Sequence, residues 1–93
     1  MKIPQRVKIG GMVYSVKIAE RWPGRELGDH DGECFYDRQN GNIIYIGAEL
    51  SPQAQEVTFL HEALHAMNAT INHEFLDSLA EQLYQFLADN KII

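Results

Sequence analysis

Two histidines and a glutamate lie together in the second half of the chain, at a spacing that suits metal chemistry. The run His61-Glu62-Ala63-Leu64-His65 fits the pattern H-E-x-x-H. On an α-helix, residues four apart lie one turn apart on the same face, so both imidazoles can bind one ion. With zinc bound there, Glu62 would be the general base that takes a proton from the attacking water. The alternative is an amphipathic helix whose histidines have only a structural role.

The surrounding sequence predicts a helix that carries this motif. Ser51 is a favoured N-cap and Pro52 a favoured first helical residue. Apolar residues then recur at helical spacing and predict the buried side of the helix: Val57, Leu60, Leu64, Met67 and Ile71. His61 and His65 flank this stripe, where a ligand can reach a neighbouring element and still face a cleft. Glu62 is expected to point further toward solvent.

A catalytic zinc site needs a third protein ligand, and a second helix offers candidates. Three protein ligands leave one coordination position for water. Asn72 is a plausible N-cap for this helix, and its predicted buried stripe consists of Leu76, Leu79, Ala80, Leu83 and Leu87. Among the acidic residues, Asp77 lies nearest the buried edge, ahead of Glu81 and Glu74. Asp77 is therefore the predicted third ligand, and Glu81 is the next candidate.

The other two histidines and several tyrosines are weaker candidates. His30 lies in a polar stretch that reads as a turn, and His73 lies where the second helix begins, as a cap-region residue or a group supporting the site. An oxyanion could be stabilised by a hydrogen-bond donor from this set: His30, His73, Tyr36, Tyr45 and Tyr84. The sequence does not choose among them, and a structural role is the simpler interpretation of each.

The first half of the chain has the features of two β-hairpins. Residues 6–20 are rich in β-branched side chains around a Gly10-Gly11 pair, and residues 34–47 contain Asn40-Gly41, a strong signal for a tight type I′ turn. The segment between them reads as a loop. The sequence thus predicts one α+β domain spanning residues 1–93, in which a small antiparallel sheet of two hairpins packs on two helices.

Composition limits the possible partners and environment. The 93 residues are 45% hydrophobic and 23% charged, which is typical of one small globular domain. A formal charge of −5 argues against nucleic-acid binding, which requires a basic face. The single cysteine, Cys34, excludes an intramolecular disulfide and suits a reducing compartment. With neither a secretory signal nor an apolar run of membrane-spanning length, the expected location is the cytoplasm.

Three stretches together carry a resemblance to a known group of proteins. "MKIPQRVKIGGMVYSVKI", "GNIIYIGAELSPQAQEVTFLHEALHAMN" and "LAEQLYQFLADN" resemble small phage and prophage metallopeptidase-like proteins, minimal relatives of the ImmA/IrrE group of gluzincins. The resemblance covers nearly the whole chain, and H-E-x-x-H is its most specific element.

The resemblance has implications for fold, site and location. It implies a zincin-like core with a small sheet on the active-site helix, an acidic third ligand from the next helix, and zinc-dependent peptide hydrolysis inside a bacterial host cell. Such proteins usually have a glutamate where this chain has Asp77. Because aspartate is one methylene shorter, the second helix must lie closer, or Glu81 must replace it.

Three functions are consistent with these residues. The first is a zinc peptidase that acts on a peptide or protein. The second is a non-catalytic, zinc-stabilised acidic protein that binds a host or phage partner, and the third is an acidic binding module without metal. An open coordination position would favour the first and a closed four-ligand site the second. Stability that does not depend on zinc would favour the third.

Overall fold

The computed structural model describes residues 1–19, 32–37 and 41–93, with only the backbone described for Ala19 and residues 33–37. This part of the chain has an α+β fold, in which a mixed sheet is followed by two helices that pack together. The elements are β1 (Arg6–Ile9), β2 (Met12–Ala19), β3 (Gly32–Asp37), β4 (Gly41–Gly47), α1 (Pro52–Met67) and α2 (His73–Asp89). Neither of these helices is long and apolar enough to cross a membrane.

The first hairpin forms as predicted. β1 and β2 pair antiparallel, with Ile9 opposite Met12. Gly10 and Gly11 between them have φ angles of 57° and 87°. Residues other than glycine rarely adopt these angles, so the glycine pair makes the tight turn possible.

The second hairpin also forms, but its predicted turn is wrong. β3 and β4 pair antiparallel with Asp37 opposite Gly41, so three residues, 38–40, separate the paired ends. Gly41 has the positive φ that the turn signal requires, 79°, yet it belongs to β4 rather than to a two-residue turn. Asn40 lies outside the described residues.

The sheet is mixed, which corrects the prediction of an antiparallel one. The strand order is β1-β2-β4-β3, and β2 pairs parallel with β4, Ser15 opposite Ile43. The turn residues specify pairing within each hairpin, whereas pairing between hairpins depends on burial. Ile43 and Ile44 point to opposite faces of β4, and both have no exposed surface. β4 is therefore a central strand with a neighbour on each side, and β3 is the last strand on its side among the described residues.

Helix α1 lies on the sheet with a different side from the one predicted. Its buried residues are Thr58, Phe59, Glu62 and Ala63, and Phe59 and Ala63 join a core with Ile9, Val16, Ile44 and Ile46. Of the predicted stripe, Met67 is 63% exposed and Ile71 lies beyond the helix. α1 packs against both the sheet and α2, so it is buried on two sides. A single apolar stripe therefore does not predict which of its residues are buried.

Both helices begin where the sequence predicts. The Ser51 side chain accepts a hydrogen bond from the backbone N–H of Ala54 at 3.2 Å, and the Asn72 side chain accepts one from Glu74 at 2.9 Å. The buried residues of α2 belong to its predicted stripe: Leu76 and Ala80. Since only residues 68–72 connect the helices, the end of α1 lies beside the start of α2.

Candidate metal site

Three histidines converge where α1 ends and α2 begins. His61 and His65 lie one turn apart on α1, and His73 is the first residue of α2. Their ring centroids are 4.8 Å (His61 to His65), 4.9 Å (His61 to His73) and 5.5 Å (His65 to His73) apart. One ligand atom from each ring lies within 4.8 Å of the other two. These three residues, here called the histidine cluster, could therefore hold a metal ion.

One distance in the histidine cluster matches the geometry of a zinc site. His65 Nε2 and His73 Nδ1 are 3.3 Å apart. Two nitrogens that each bind one tetrahedral zinc ion at about 2.0–2.1 Å are about 3.3–3.4 Å apart. Without an ion, one of these two rings donates a hydrogen bond to the other, and the same separation would suit two ligands on one zinc ion.

Asp77, the predicted third ligand, contacts two members of the cluster. Its Oδ1 is 2.9 Å from His61 Nδ1, and its Oδ2 is 3.5 Å from His73 Nε2. The His61 side chain is 13% exposed, whereas those of His73 and Asp77 are 57% and 58% exposed. Asp77 therefore lies beside His61, one of the two histidines of the predicted ligand set, and also beside His73. Its role as a metal ligand stays a prediction.

The surroundings keep the α1 histidines in the form that binds metals. Burial lowers the pKa of His61 below its ordinary value; Asp77 raises this pKa, and the neighbouring imidazoles lower it further. Burial, followed by the effect of His73, likewise lowers the pKa of His65, against a smaller rise from Asp77. Both rings are therefore neutral near pH 7, and a neutral imidazole has a free lone pair for a metal ion.

Glu62 is buried, which corrects the expectation that it points toward solvent. It is 5% exposed, because β3 passes directly over this side of α1. A Cβ built on Gly32 would lie 2.5 Å from Thr58 Cγ2 and 3.4 Å from Glu62 Cγ. Only glycine lets the strand lie this close to the helix. A covered carboxylate has few available positions, which suits a proton acceptor that must be oriented.

An open groove of about 520 Å³ runs between the two helices, and no residue of the histidine cluster lines it. Both helices line it, with Val57 and Thr58 from α1 and Glu81 and Tyr84 from α2. Thr58 precedes His61 by three residues, and Glu81 follows Asp77 by one turn. Glu81, the alternative third ligand, thus lines the groove and is not a member of the cluster. A cavity of about 640 Å³ between the N-terminal segment and β2 contains no cluster residue.

The remaining candidates have other contacts or lie outside the described residues. The Tyr84 hydroxyl donates a hydrogen bond to Glu56 Oε2 at 3.3 Å, and its pKa is raised by burial and by the Glu56 carboxylate. Glu74 is exposed in the first turn of α2, where a carboxylate is favoured by the helix dipole. His30 and the side chain of Tyr36 lie outside the described residues.

His73 is the residue whose part in the site the sequence analysis underestimated. The signal was the short connection between the helices: when residues 68–72 reverse the chain, the start of α2 must lie beside the end of α1. His65 is in the last turn of α1 and His73 in the first turn of α2. Their proximity follows from the two predicted helix boundaries taken together.

Comparison with protein-family models, with curated proteins and with solved structures found no match in any of the three. The resemblance to small gluzincins therefore stays a prediction.

Proposed function

We propose that this chain is a zinc-dependent peptidase, in which His61 and His65 bind the metal with a third ligand from α2, and Glu62 is the general base. The observation that carries the proposal is the convergence of three imidazoles at one point, two of them from an H-E-x-x-H helix. Imidazole nitrogen is a preferred zinc ligand. A bound zinc ion supplies Lewis-acid chemistry that makes water a usable nucleophile near neutral pH.

In this proposal, residues of both helices bind the metal, and Glu62 of α1 transfers the proton. His61 and His65 on α1 would hold the ion together with a third ligand from the start of α2, which leaves one position open. Glu62, held under β3, would accept a proton from the attacking water and pass it to the leaving amine. In this proposal the mixed sheet, α1 and α2 form a zincin-like core.

The proposed substrate is a peptide or protein in extended form. β4 is the only described neighbour of β3, so the other edge of β3 could pair with a peptide strand by β-augmentation. Because Gly32 of β3 lies against Thr58 and Glu62, such a strand would run close to the general base. The groove beyond the histidine cluster could take a substrate side chain, and the net charge of −5 favours a peptide over a nucleic acid.

One observation favours a second candidate, a non-catalytic zinc protein. Asp77 lies beside two of the three imidazoles, and as a fourth donor it would close a tetrahedral site. Zinc would then only stabilise a small domain, whose acidic surface would bind a partner.

The decisive experiment compares hydrolysis with metal retention. Zinc-loaded wild type, Glu62→Gln and Asp89→Asn are incubated with unfolded casein, with and without chelator, and the products are identified by mass spectrometry. Loss of the general base should lower the rate by about 10²–10⁴-fold while zinc content stays at the wild-type level. Asp89→Asn is the matched control, since it makes the same acid-to-amide change at the exposed end of α2.

Two results would argue against the peptidase. Cleavage by Glu62→Gln at the wild-type rate would exclude Glu62 as the base. If wild type binds zinc but cleaves nothing, the cobalt-substituted protein is titrated with acetohydroxamate, which binds an open coordination position. An unchanged absorption spectrum would then support the closed, non-catalytic site.

A further inference from the structure

The distance between Asp77 and His61 shows whether the two side chains are better placed to hydrogen-bond to each other or to bind the same metal ion. Asp77 Oδ1 and His61 Nδ1 are 2.9 Å apart. This value lies within the usual range of about 2.7–3.2 Å for an N–H···O hydrogen bond. It is shorter than the roughly 3.3–3.4 Å between two ligands on one tetrahedral zinc ion. The geometry therefore favours a hydrogen bond that His61 donates to Asp77.

This hydrogen bond sets the tautomer of His61, and a longer contact of the same carboxylate favours one tautomer of His73. A proton on Nδ1 of His61 leaves the lone pair on Nε2. The same carboxylate lies 3.5 Å from Nε2 of His73, so a proton on that nitrogen leaves the lone pair on Nδ1. That Nδ1 lies 3.3 Å from Nε2 of His65, the separation expected of two zinc ligands.

We propose that His73 is the third metal ligand, that it binds through Nδ1 while His61 and His65 bind through Nε2, and that Asp77 is a positioning residue that orients His61 and His73. This assignment differs from the acidic third ligand that the resemblance implies. It rests on the metal binding of the proposed function and does not depend on hydrolysis.

The positions on α2 support this division of roles. His73 and Asp77 are four residues apart, so both lie on the side of α2 that meets the end of α1. One carboxylate within reach of two imidazoles can hold both rings, and a metal-binding histidine usually donates its second N–H to such a partner. Asp77 would also supply a negative charge beside the bound cation.

The first test measures zinc affinity by competition with a chromophoric chelator. His73→Ala should weaken binding by more than the roughly 100-fold limit for an outer partner, as His65→Ala should, because a ligand is lost. Asp77→Asn should weaken binding by only about 10–100-fold, the range typical of an outer carboxylate. Glu81→Gln is the matched control: its carboxylate lies one turn further along α2, in the groove, and affinity should not change. Circular dichroism of the metal-free variants checks that each is folded.

The order of these effects decides the assignment. A larger loss for Asp77→Asn than for His73→Ala would make Asp77 the ligand and overturn the inference, as would a loss for Glu81→Gln that exceeds both. Absence of zinc binding by wild type would remove both this inference and the proposed function. The expected order without any hydrolysis would contradict only the peptidase.

The second test identifies the bound nitrogens by long-range ¹H–¹⁵N NMR of the zinc-loaded, ¹⁵N-labelled protein. The expected spectrum shows His73 bound through Nδ1 and protonated at Nε2, with His61 and His65 bound through Nε2. In Asp77→Asn the Nδ1–H signal of His61 should shift while these bound nitrogens stay the same, which a general loss of structure would not produce. Binding of His73 through Nε2, or an unbound His73, would overturn the inference.

Discussion

Two adjacent sides of α1 differ in how they hold the residues of the candidate site. On one side Glu62 is 5% exposed and covered by β3. On the other, His61 and His65 meet α2, whose contributing side chains, His73 and Asp77, are more than half exposed. Packing against β3 thus orders Glu62 whether or not a metal is bound. The ligands come from two helices, so metal binding should order them most. A metal ion should therefore stabilise the contact between α1 and α2 at the histidine cluster, and changes in β3 should affect the surroundings of Glu62.

The largest expected effect is stabilisation by zinc. At a free zinc concentration 100 times the Kd, binding should stabilise the folded state by about 2.7 kcal/mol. For a domain of this size that corresponds to a rise in Tm of roughly 10–20 °C. Differential scanning fluorimetry with and without zinc measures this shift.

The matched variants for the zinc experiment separate the cluster from nonspecific binding. His65→Ala should lose most of the rise in Tm, because it removes a ligand. Asp89→Asn should keep the full rise, because it removes an exposed carboxylate at the far end of α2. An equal rise in His65→Ala would show that zinc binds elsewhere.

The next largest effect is the loss of stability when Gly32, which lies in β3 against Thr58 and Glu62, is replaced. Gly32→Ala should lower the free energy of unfolding by about 1–3 kcal/mol, the usual cost of overpacking. The new Cβ would lie 2.5 Å from Thr58 Cγ2 and 2.7 Å from the Tyr45 carbonyl oxygen. Urea unfolding measures the change, and zinc affinity should stay within a few-fold of wild type.

A double variant tests the physical reason for the Gly32 effect. Thr58→Ser removes Cγ2 and should recover part of the stability lost in Gly32→Ala. Recovery should be incomplete, because the Tyr45 carbonyl oxygen belongs to the backbone and remains. Wild-type stability in Gly32→Ala alone would mean that β3 does not lie as close to α1 as the structure shows.

The smallest expected effect is the pH dependence of the metal-free protein. Burial lowers the pKa of His61 and His65 below the ordinary value of 6.5, so below that pH the unfolded chain binds more protons than the folded one. Stability is then fully present above about pH 6.5 and is lost as the pH falls toward the folded-state pKa values. Urea unfolding at a series of pH values should show this fall, and His61→Gln should reduce its slope. A fall in stability with rising pH over this range would contradict the assigned direction.

Local signals predicted much of the fold. Ser51 and Asn72 are the caps they were expected to be, and Gly10-Gly11 forms its turn, because each depends on a backbone conformation that nearby residues determine. His61 and His65 share a helix face for the same reason. In these places the chemistry of a few adjacent residues was sufficient.

Long-range packing accounts for the rest. The parallel pairing of β2 with β4 depends on which strand becomes central. The burial of Glu62 depends on β3 crossing α1 at Gly32, and no property of the helix sequence shows this. The contribution of His73 requires the reversal of the chain between the helices. Each of these features joins residues that are far apart in the sequence or on different elements.

The most direct test of the account is the zinc bound per chain after equilibrium dialysis, measured by mass spectrometry of the metal for wild type and His65→Ala. The account predicts one zinc ion per wild-type chain, and His65→Ala that binds none at the same free zinc concentration. A wild-type protein that binds no zinc when the metal is supplied would contradict the account, and Pro52–Met67 would then be an amphipathic helix whose histidines serve only its structure.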